Sequence, residues 1–442
     1  MFAAVGPAMT PRPVVTCFLR TDGEILLLCR SDAVGSYPGR WGGVAGHVAA
    51  DGDDPTTPDR NPETAARAEI AEETGLERAV TLVRQGDPFT VQDGPDQWLV
   101  HPFLFDCDSR AVRTNAETAE TAWVQPPEIL RRETVPGLWL SYDRVRPRVA
   151  TIREDRTHGS SWLSMRALEV LRDEAAVVAE GHPGDGTRAE RTADDWDGLA
   201  ALARSLRDAR PSMAVLANRV NRTMLAASDE CSPRGLETAA SRAVEQACAV
   251  DRDAASVAAE ALPPRVGTLS RSGTVETTLH EATPEAVLVA ESRPGREGVA
   301  VAEGLAAVTD VTLTTDAALA FELDDWDAGA VLVGADRVLP DGRVVNKVGT
   351  RAAALSAAAA DCAVFVVAAS DKIAAGDEYD LEPRARTELY DGEADVAVAN
   401  PTFDVTPTDA VTAVLTEQGR LDDEEIRAVA AAHREWAAWD RS

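Results

Sequence analysis

The chain has 442 residues, and its 44 lysines and arginines stand against 74 aspartates and glutamates, a formal charge of −30. Such a field repels nucleic-acid backbone and anionic membrane, which argues against direct nucleic-acid binding and membrane attachment. An acidic, aromatic-poor chain with only two lysines looks like one adapted to high salt, where the self-repulsion is screened and carboxylates keep the surface hydrated, so the acidity reports a solvent and not a partner.

No apolar run approaches 18 residues, and the opening "MFAAVGPAMTPRP" lacks a basic flank and a long apolar core, so neither a membrane span nor a signal peptide is expected and the reading is cytoplasmic. Six cysteines (17, 29, 107, 231, 248, 362) form no CxxC pair, as expected of reduced thiols and not of a disulfide frame or zinc site. In chain order, "PVVTCFLR", "EILLLCR", "WLVHPFLF" and "TAWVQ" read as strands mixed with the helix "ETAARAEIAEETGL", an α+β domain closed by the helix "SSWLSMRALEVLRDEAAVVAE". "EGHPGDGTRAER" has Gly, Pro and charge without periodicity and reads as a linker. "WDGLAALARSLRDAR", "SMAVLANRVNRTML" and the run from Arg234 to Leu262 have helical spacing. From residue 266, the apolar runs "VGTLS", "AVLVAES", "VTLTTD", "AVLVGAD", "AVFVVAAS" and "ADVAVAN" alternate with helical segments, which implies a doubly wound parallel sheet. The resulting α/β layout is 12–178, linker 179–192, a helical part 193–265 and a Rossmann-like part 266–442.

Two constellations carry chemistry. In the first, Glu69, Glu72 and Glu73 are spaced i, i+3, i+4 on the helix and fall on one face, a crowding that a hard cation such as Mg²⁺ would relieve. Gly75 suits a left-handed C-cap with Leu76 packing beyond it. With "GGVAGHV" ahead of it, this run resembles the Nudix box: Gly46, Glu69, Ile70, Glu72, Glu73, Gly75 and Leu76 match. The resemblance implies an α+β sandwich that cleaves a diphosphate linked to another group with Mg²⁺ held by Glu69, Glu72 and Glu73 as catalytic ligands. Ala68 stands where the box has its arginine, with Arg67 one position early. The loop after Gly46 is about eight residues longer than the box has; counting back from Ala68 puts Arg60 in the place of the box's first glutamate, for which Asp51, Asp53 or Asp54 would substitute.

The second lies at the strand ends. Ser270–Ser272, Ser292–Pro294, Asp336–Arg337 and Ser370–Lys372 follow successive strand runs, and ligands of open α/β sheets bind outside the carboxyl ends of strands. Cations beside an acid there suit a phosphorylated, hydroxyl-bearing ligand. Both lysines of the chain, Lys347 and Lys372, belong to this region, although 42 other basic positions use arginine. The stretches "RPSMAVLANRV", "ESRPGREG", "VGADRVLPDGRVVNKVGT", "VVAASDKI" and "NPTFDVTP" resemble a family that contains regulatory subunits of translation initiation factor 2B, ribose-1,5-bisphosphate isomerase and methylthioribose-1-phosphate isomerase. The resemblance implies a catalytic Asp336, substrate contacts at Arg210, Asn346, Lys347 and Lys372, and a dimer or higher oligomer; Arg293, at the end of its strand run, is a further candidate contact. Ser272 falls where the isomerases have a cysteine, and a hydroxyl is a far poorer base than a thiolate. "GTRAERTADDW" stands where an Arg-Gly-Ala phosphate loop is expected.

The combined expectation is a Nudix hydrolase of a nucleoside diphosphate derivative joined to a domain that binds a sugar phosphate or nucleotide and forms a homo-oligomer. The alternatives are a sugar-phosphate isomerase, and a non-enzymatic factor 2B-like regulator, working with initiation factor subunits, whose Nudix part is a scaffold.

Overall fold

The structure is a computed structural model, and it describes residues 11–48, 61–94, 96–182 and 195–441. Arg60, Asp51, Asp53, Asp54 and most of the linker and of "GTRAERTADDW" lie outside the described residues. The chain forms two compact units: Met1–Pro147 with Arg172–Asp195, and Arg148–Leu171 with Trp196–Ser442. The 160–179 helix expected to close the first domain is therefore divided, its first part belonging to the second unit.

The first unit contains β1 (Arg12–Thr21), β2 (Glu24–Arg30), β3 (Trp41–Gly42), β4 (Val44–His47), α1 (Pro62–Thr74), β5 (Val80–Gln85), β6 (Phe89–Asp93), β7 (Asp96–Cys107), β8 (Thr118–Val124) and α2 (Leu138–Asp143). Its sheet runs β3-β2-β1-β7-β5, with β4 on β1, β6 on β7 and β8 on β2. Alternation along β1 divides its side chains between two cores. Val15, Cys17 and Leu19 pack with Ala65, Ala66 and Ile70 of α1, while Phe18 packs with Leu138, Trp139 and Tyr142 around α2. Helix α1 starts where Asn61 accepts the Glu63 N–H at 3.0 Å and Pro62 fills the first turn; it ends at Gly75, φ +66°, the left-handed cap the sequence predicts.

The second unit opens with helices α3 (Val149–Glu154), the first part of α4 (Ser160–Ala179), α5 (Asp195–Arg207), α6 (Ala214–Ala227) and α7 (Pro233–Ala259). Then follow β9 (Arg265–Leu269), α8 (Gly273–Ala282), β10 (Ala286–Ala290), α9 (Glu297–Leu305), β11 (Asp310–Thr314), α10 (Leu319–Asp325), β12 (Ala330–Val333), β13 (Arg337–Val338), β14 (Val344–Lys347), α11 (Thr350–Ala359), β15 (Ala363–Val367), β16 (Phe403–Thr406), β17 (Ala413–Thr416), β18 (Gly419–Leu421) and α12 (Asp423–Trp436). The main sheet has the order β11-β10-β9-β12-β15-β17-β18, parallel except for β18. The order in which successive strands are added reverses between β9 and β12, the topological switch point of a doubly wound sheet. Strands β9, β10 and β12 are buried almost throughout, as their unbroken apolar runs require, while the edge strand β11 leaves Leu313 exposed. A small antiparallel sheet, β13-β14-β16, branches from the loop after β12. The run "ADVAVAN" does not form the expected strand. Val396 is exposed there, and Phe403–Thr406, just beyond it, takes the pairing with β14.

Candidate functional site

In the first unit, β4 and α1 build the acidic site. Gly46 packs so closely on α1 that a Cβ there would lie 2.0 Å from the Glu69 carboxyl carbon, so any larger residue would displace the Glu69 carboxylate. One turn on, Glu73 is buried and its carboxylate accepts the Ala45 backbone N–H at 3.2 Å. Burial pushes the Glu73 carboxyl up to about 8; the Ala45 N–H opposes this, Glu69 adds to it, and Arg30 and Glu117 pull in opposite senses. Burial followed by the same two carboxylates raises the Cys17 thiol beneath them. Glu72 is exposed, so the helix brings Glu69 and Glu73 together and leaves the third carboxylate at the surface. Among the described residues no group of three His, Cys, Asp or Glu side chains stands close enough to hold a metal ion. Ala68 and Arg67 are exposed; Arg67 pairs with Glu63 at 3.0 Å and does not take the place of the box arginine.

In the second unit, a cavity of about 690 Å³ opens at the switch point. Its wall includes Ser272, Asp336, Asn346, Lys347, Lys372 and Arg210, so six of the residues singled out in the sequence converge. Ser272 caps α8, its Oγ accepting the Val275 N–H at 3.5 Å, and a Cβ on Gly334 would come within 2.7 Å of that oxygen. Asp336 follows two residues later, its N–H bonded to Val345 O at 3.0 Å. Asn346 donates to Thr350 Oγ1 at 2.9 Å, and Lys347 pairs with Glu297 at 2.8 Å. Burial would raise the Glu297 carboxyl, but the Lys347 hydrogen bond and charge hold it below its ordinary value.

Lys372 differs from these. Its side chain is 4% exposed and has neither a hydrogen bond nor an ion pair among the described residues. Burial pushes its ammonium down, against the attraction of Asp336 and Asp251. Its neighbour Asp371 is fully committed elsewhere, to Arg219 at 2.9 Å and Arg222 at 2.6 Å, and Arg219 in turn holds Asp251 at 2.9 Å. That network fixes the turn and leaves the lysine unpaired in the cavity wall.

Arg293 does not join them. It is 65% exposed, pairs with Glu291 at 3.3 Å, and is absent from the cavity wall, because its backbone N–H is tied at 2.6 Å to Asp316. Conversely, the sequence reading missed one wall, Arg153 to Trp162, by assigning it to the first domain. There Asp155 accepts from His158 Nδ1 at 2.7 Å, His158 stacks on Trp162 at 3.8 Å, and the buried hydroxyls of Ser160 and Ser161, at the start of α4, have no partner among the described residues. The Gly-Ser-Ser run before a helical pattern was the available signal. None of the six cysteines lines the cavity.

Comparisons with known proteins agree with both units. The model of the initiation factor 2 subunit family matches residues 156–423, and the NUDIX domain model matches 9–145. Ribose 1,5-bisphosphate isomerase of Haloferax volcanii is 30% identical over 308 residues, 64% of this chain and 92% of its own length. Methylthioribose-1-phosphate isomerase of Exiguobacterium sibiricum is 31% identical over 189 residues, 37% of this chain and 54% of its own. Among solved structures, translation initiation factor eIF-2B of Pyrococcus horikoshii superposes with a TM-score of 0.52 at 25% identity, covering 62% of this chain and 94% of that one. The 5-methylthioribose 1-phosphate isomerase of the same organism has the same TM-score at 20% identity over 72% and 90%, a likeness of fold. No helix of the described residues is long and apolar enough to cross a membrane. The chain belongs to the initiation factor 2 subunit family, with a NUDIX domain ahead of the family region.

Proposed function

We propose that the second unit binds a phosphorylated sugar or nucleotide in the switch-point cavity, and that the first hydrolyses a nucleoside diphosphate derivative. The observation that carries the first half is Lys372: a buried ammonium with no partner awaits an anion. Lys347 and Arg210 add charge to the same cavity, and the unpartnered hydroxyls at the start of α4 offer donors beside a helix N-terminus, which favours phosphate. Asp336 and Asn346 suit the sugar hydroxyls.

For the first unit, Glu69 and Glu73 fit a hard divalent ion: one is held against Gly46, the other is buried beside it and costly to ionise without a cation. Glu72 is the third candidate ligand. Mg²⁺ bound there would supply charge neutralisation of phosphate oxygens and an activated water. Ala45 N–H fixes the Glu73 carboxylate. The test is a screen of nucleotide sugars and dinucleotides in concentrated KCl with Mg²⁺. Cleavage to two monophosphates is expected; no cleavage of any compound would make this part a scaffold.

A second reading, aldose–ketose isomerisation by the second unit, is favoured by the Haloferax volcanii relative. Asp336 remains for it, but the cavity lacks a thiol and Ser272 is engaged as a helix cap. Incubation with ribose 1,5-bisphosphate should yield little or no ketose. Robust turnover that survives Ser272→Ala would establish the isomerase and a different base. A homo-oligomer built through the second unit, and a high-salt cytoplasm as its setting, complete the proposal; light scattering and unfolding on dilution of KCl test these. Co-purification with initiation factor subunits, without any metal-dependent hydrolysis, would favour a regulatory protein instead.

A further inference from the structure

The cavity's anion seat is already taken. Arg210, 5% exposed, presents its guanidinium fork to the Glu382 carboxylate, with Nε to Oε1 at 3.1 Å and Nη2 to Oε2 at 2.8 Å. The Ser212 hydroxyl donates to the same carboxylate. The remaining guanidinium nitrogen, Nη1, is bonded to Asp155 O at 2.6 Å, which locks the fork in place. Three donors thus converge on one anionic group in a water-poor wall, the arrangement that also suits a phosphate.

Glu382 is not anchored as a core residue would be. It sits on residues 374–402, a segment with one short helical turn and a mostly exposed surface. The segment is clipped at its base, by Arg384 N–H to Asn400 O at 2.8 Å and Thr402 N–H to Glu382 O at 2.9 Å. The backbone of Glu382 itself lies in the left-handed region, φ +42°, which a glutamate occupies only at a cost. A second carboxylate, Glu297, holds Lys347 and stands 3.9 Å from Arg384 of the segment. A phosphate dianion and the Glu382 carboxylate cannot share this guanidinium, because Glu382 engages Nε and Nη2 while Nη1 is bonded to Asp155 O, and like charges at that spacing repel strongly.

We infer that Glu382 is a built-in competitor: its carboxylate holds the Arg210–Ser212 seat, and a ligand's phosphate binds by displacing it together with the 381–384 turn. The device sets a threshold, since an anion must out-compete a bidentate intramolecular carboxylate, and it selects dianionic phosphate over weaker anions. This inference rests on the reading of the cavity as a phosphate pocket.

Calorimetric titration with inorganic phosphate and with ribose 5-phosphate, in concentrated KCl, tests it on the full chain. Glu382→Gln should bind both at least about tenfold more tightly than the natural chain, the scale of removing one charged competitor. Glu393→Gln, which removes one charge from an exposed position of the same segment, should change affinity by less than about twofold, as expected for a solvated surface charge. In the natural chain, saturating ribose 5-phosphate should speed amide hydrogen exchange across residues 380–384, a readout that needs no variant to fold. If the natural chain binds, Arg210→Ala does not, and Glu382→Gln binds equally or more weakly without faster exchange, the competitor is overturned and Glu382 is a fixed part of the seat. If the natural chain, Glu382→Gln and Arg210→Ala all fail to bind either probe, the phosphate-pocket reading falls first and the competitor with it.

Discussion

The acidic site of the first unit and the cavity of the second are mirror images in charge. In the first, burial raises a carboxyl, Glu73, beside a second carboxylate; in the second, burial lowers an ammonium, Lys372, against the attraction of Asp336 and Asp251, while its chain neighbour Asp371 is bound to two arginines. Each buried group is destabilised in its charged form, and an ion of the opposite sign would relieve each. The difference teaches that, in a chain of charge −30, the count of acidic residues says little, whereas a buried charge left unpaired names the sign of its ligand.

The largest expected effect breaks the acidic half of this comparison. Glu73→Gln keeps the hydrogen bond from Ala45 but removes the charge, and should lower Mg²⁺-dependent hydrolysis at least about 100-fold, as loss of a preorganised electrostatic contact does. Glu72→Gln should do the same, and full activity in that variant would remove Glu72 from the ligand set. A Glu73→Gln chain with full activity would reduce the helix to a solvated face.

The cationic half breaks at its two lysines. Lys372→Arg conserves charge but puts a wide planar fork where a compact ammonium fits, and should weaken ribose 5-phosphate binding by roughly 1–3 kcal/mol, the scale of a charge-assisted hydrogen bond. Lys347→Arg should cost less, because Lys347 is only partly buried and already shares its charge with Glu297. Titration calorimetry measures both; equal affinity for all three chains would take the lysines out of the ligand site.

Much of this was legible in the sequence because it depended on local rules. The Gly75 cap, the apolar strands of the doubly wound sheet and the cluster at its carboxyl ends follow from propensity, burial and topology. What was not legible depended on partners distant in sequence. Glu382 meets Arg210 across 172 positions, and nothing in "LEPRA" marks it. Arg293 is expected in the site from its place at a strand end, yet its side chain is exposed and pairs with Glu291. The wall from Arg153 to Trp162 was hidden by a boundary drawn at a composition break, while packing divides the chain earlier. "ADVAVAN" reads as a strand because it is a short apolar run, but pairing, not pattern, decides a strand.

Smaller effects sharpen the comparison. Lys372→Met should abolish phosphate binding and yet stabilise the ligand-free chain, by on the order of 1 kcal/mol, because it removes a charge buried without a partner. The folded chain binds the Lys372 proton less tightly than the unfolded chain does. Raising the pH toward the ordinary lysine value of 10.5 should therefore add stability to the natural chain, and that increment should vanish in Lys372→Met. Denaturant unfolding over the alkaline range measures it; identical pH slopes would show that the ammonium is paired in solution.

The smallest effect concerns Ser272, which lies in the cavity wall but is engaged as a cap. Its Oγ accepts a backbone N–H at the start of α8 and rests against Gly334. A cap is a property of the folded chain alone, whereas a ligand contact or a catalytic base would show in binding or turnover. Ser272→Ala should thus lower stability by about 1 kcal/mol, the usual worth of a serine N-cap. The 3.5 Å separation from Val275 N places the loss toward the lower part of the range for caps. Ribose 5-phosphate affinity should stay within about 0.5 kcal/mol of the natural value, the scatter of substitutions away from a contact. Paired unfolding and calorimetry experiments separate the two roles. A binding loss comparable to that of Lys372→Arg, with stability unchanged, would move Ser272 from the frame of the cavity into its chemistry and restore the case for an isomerase.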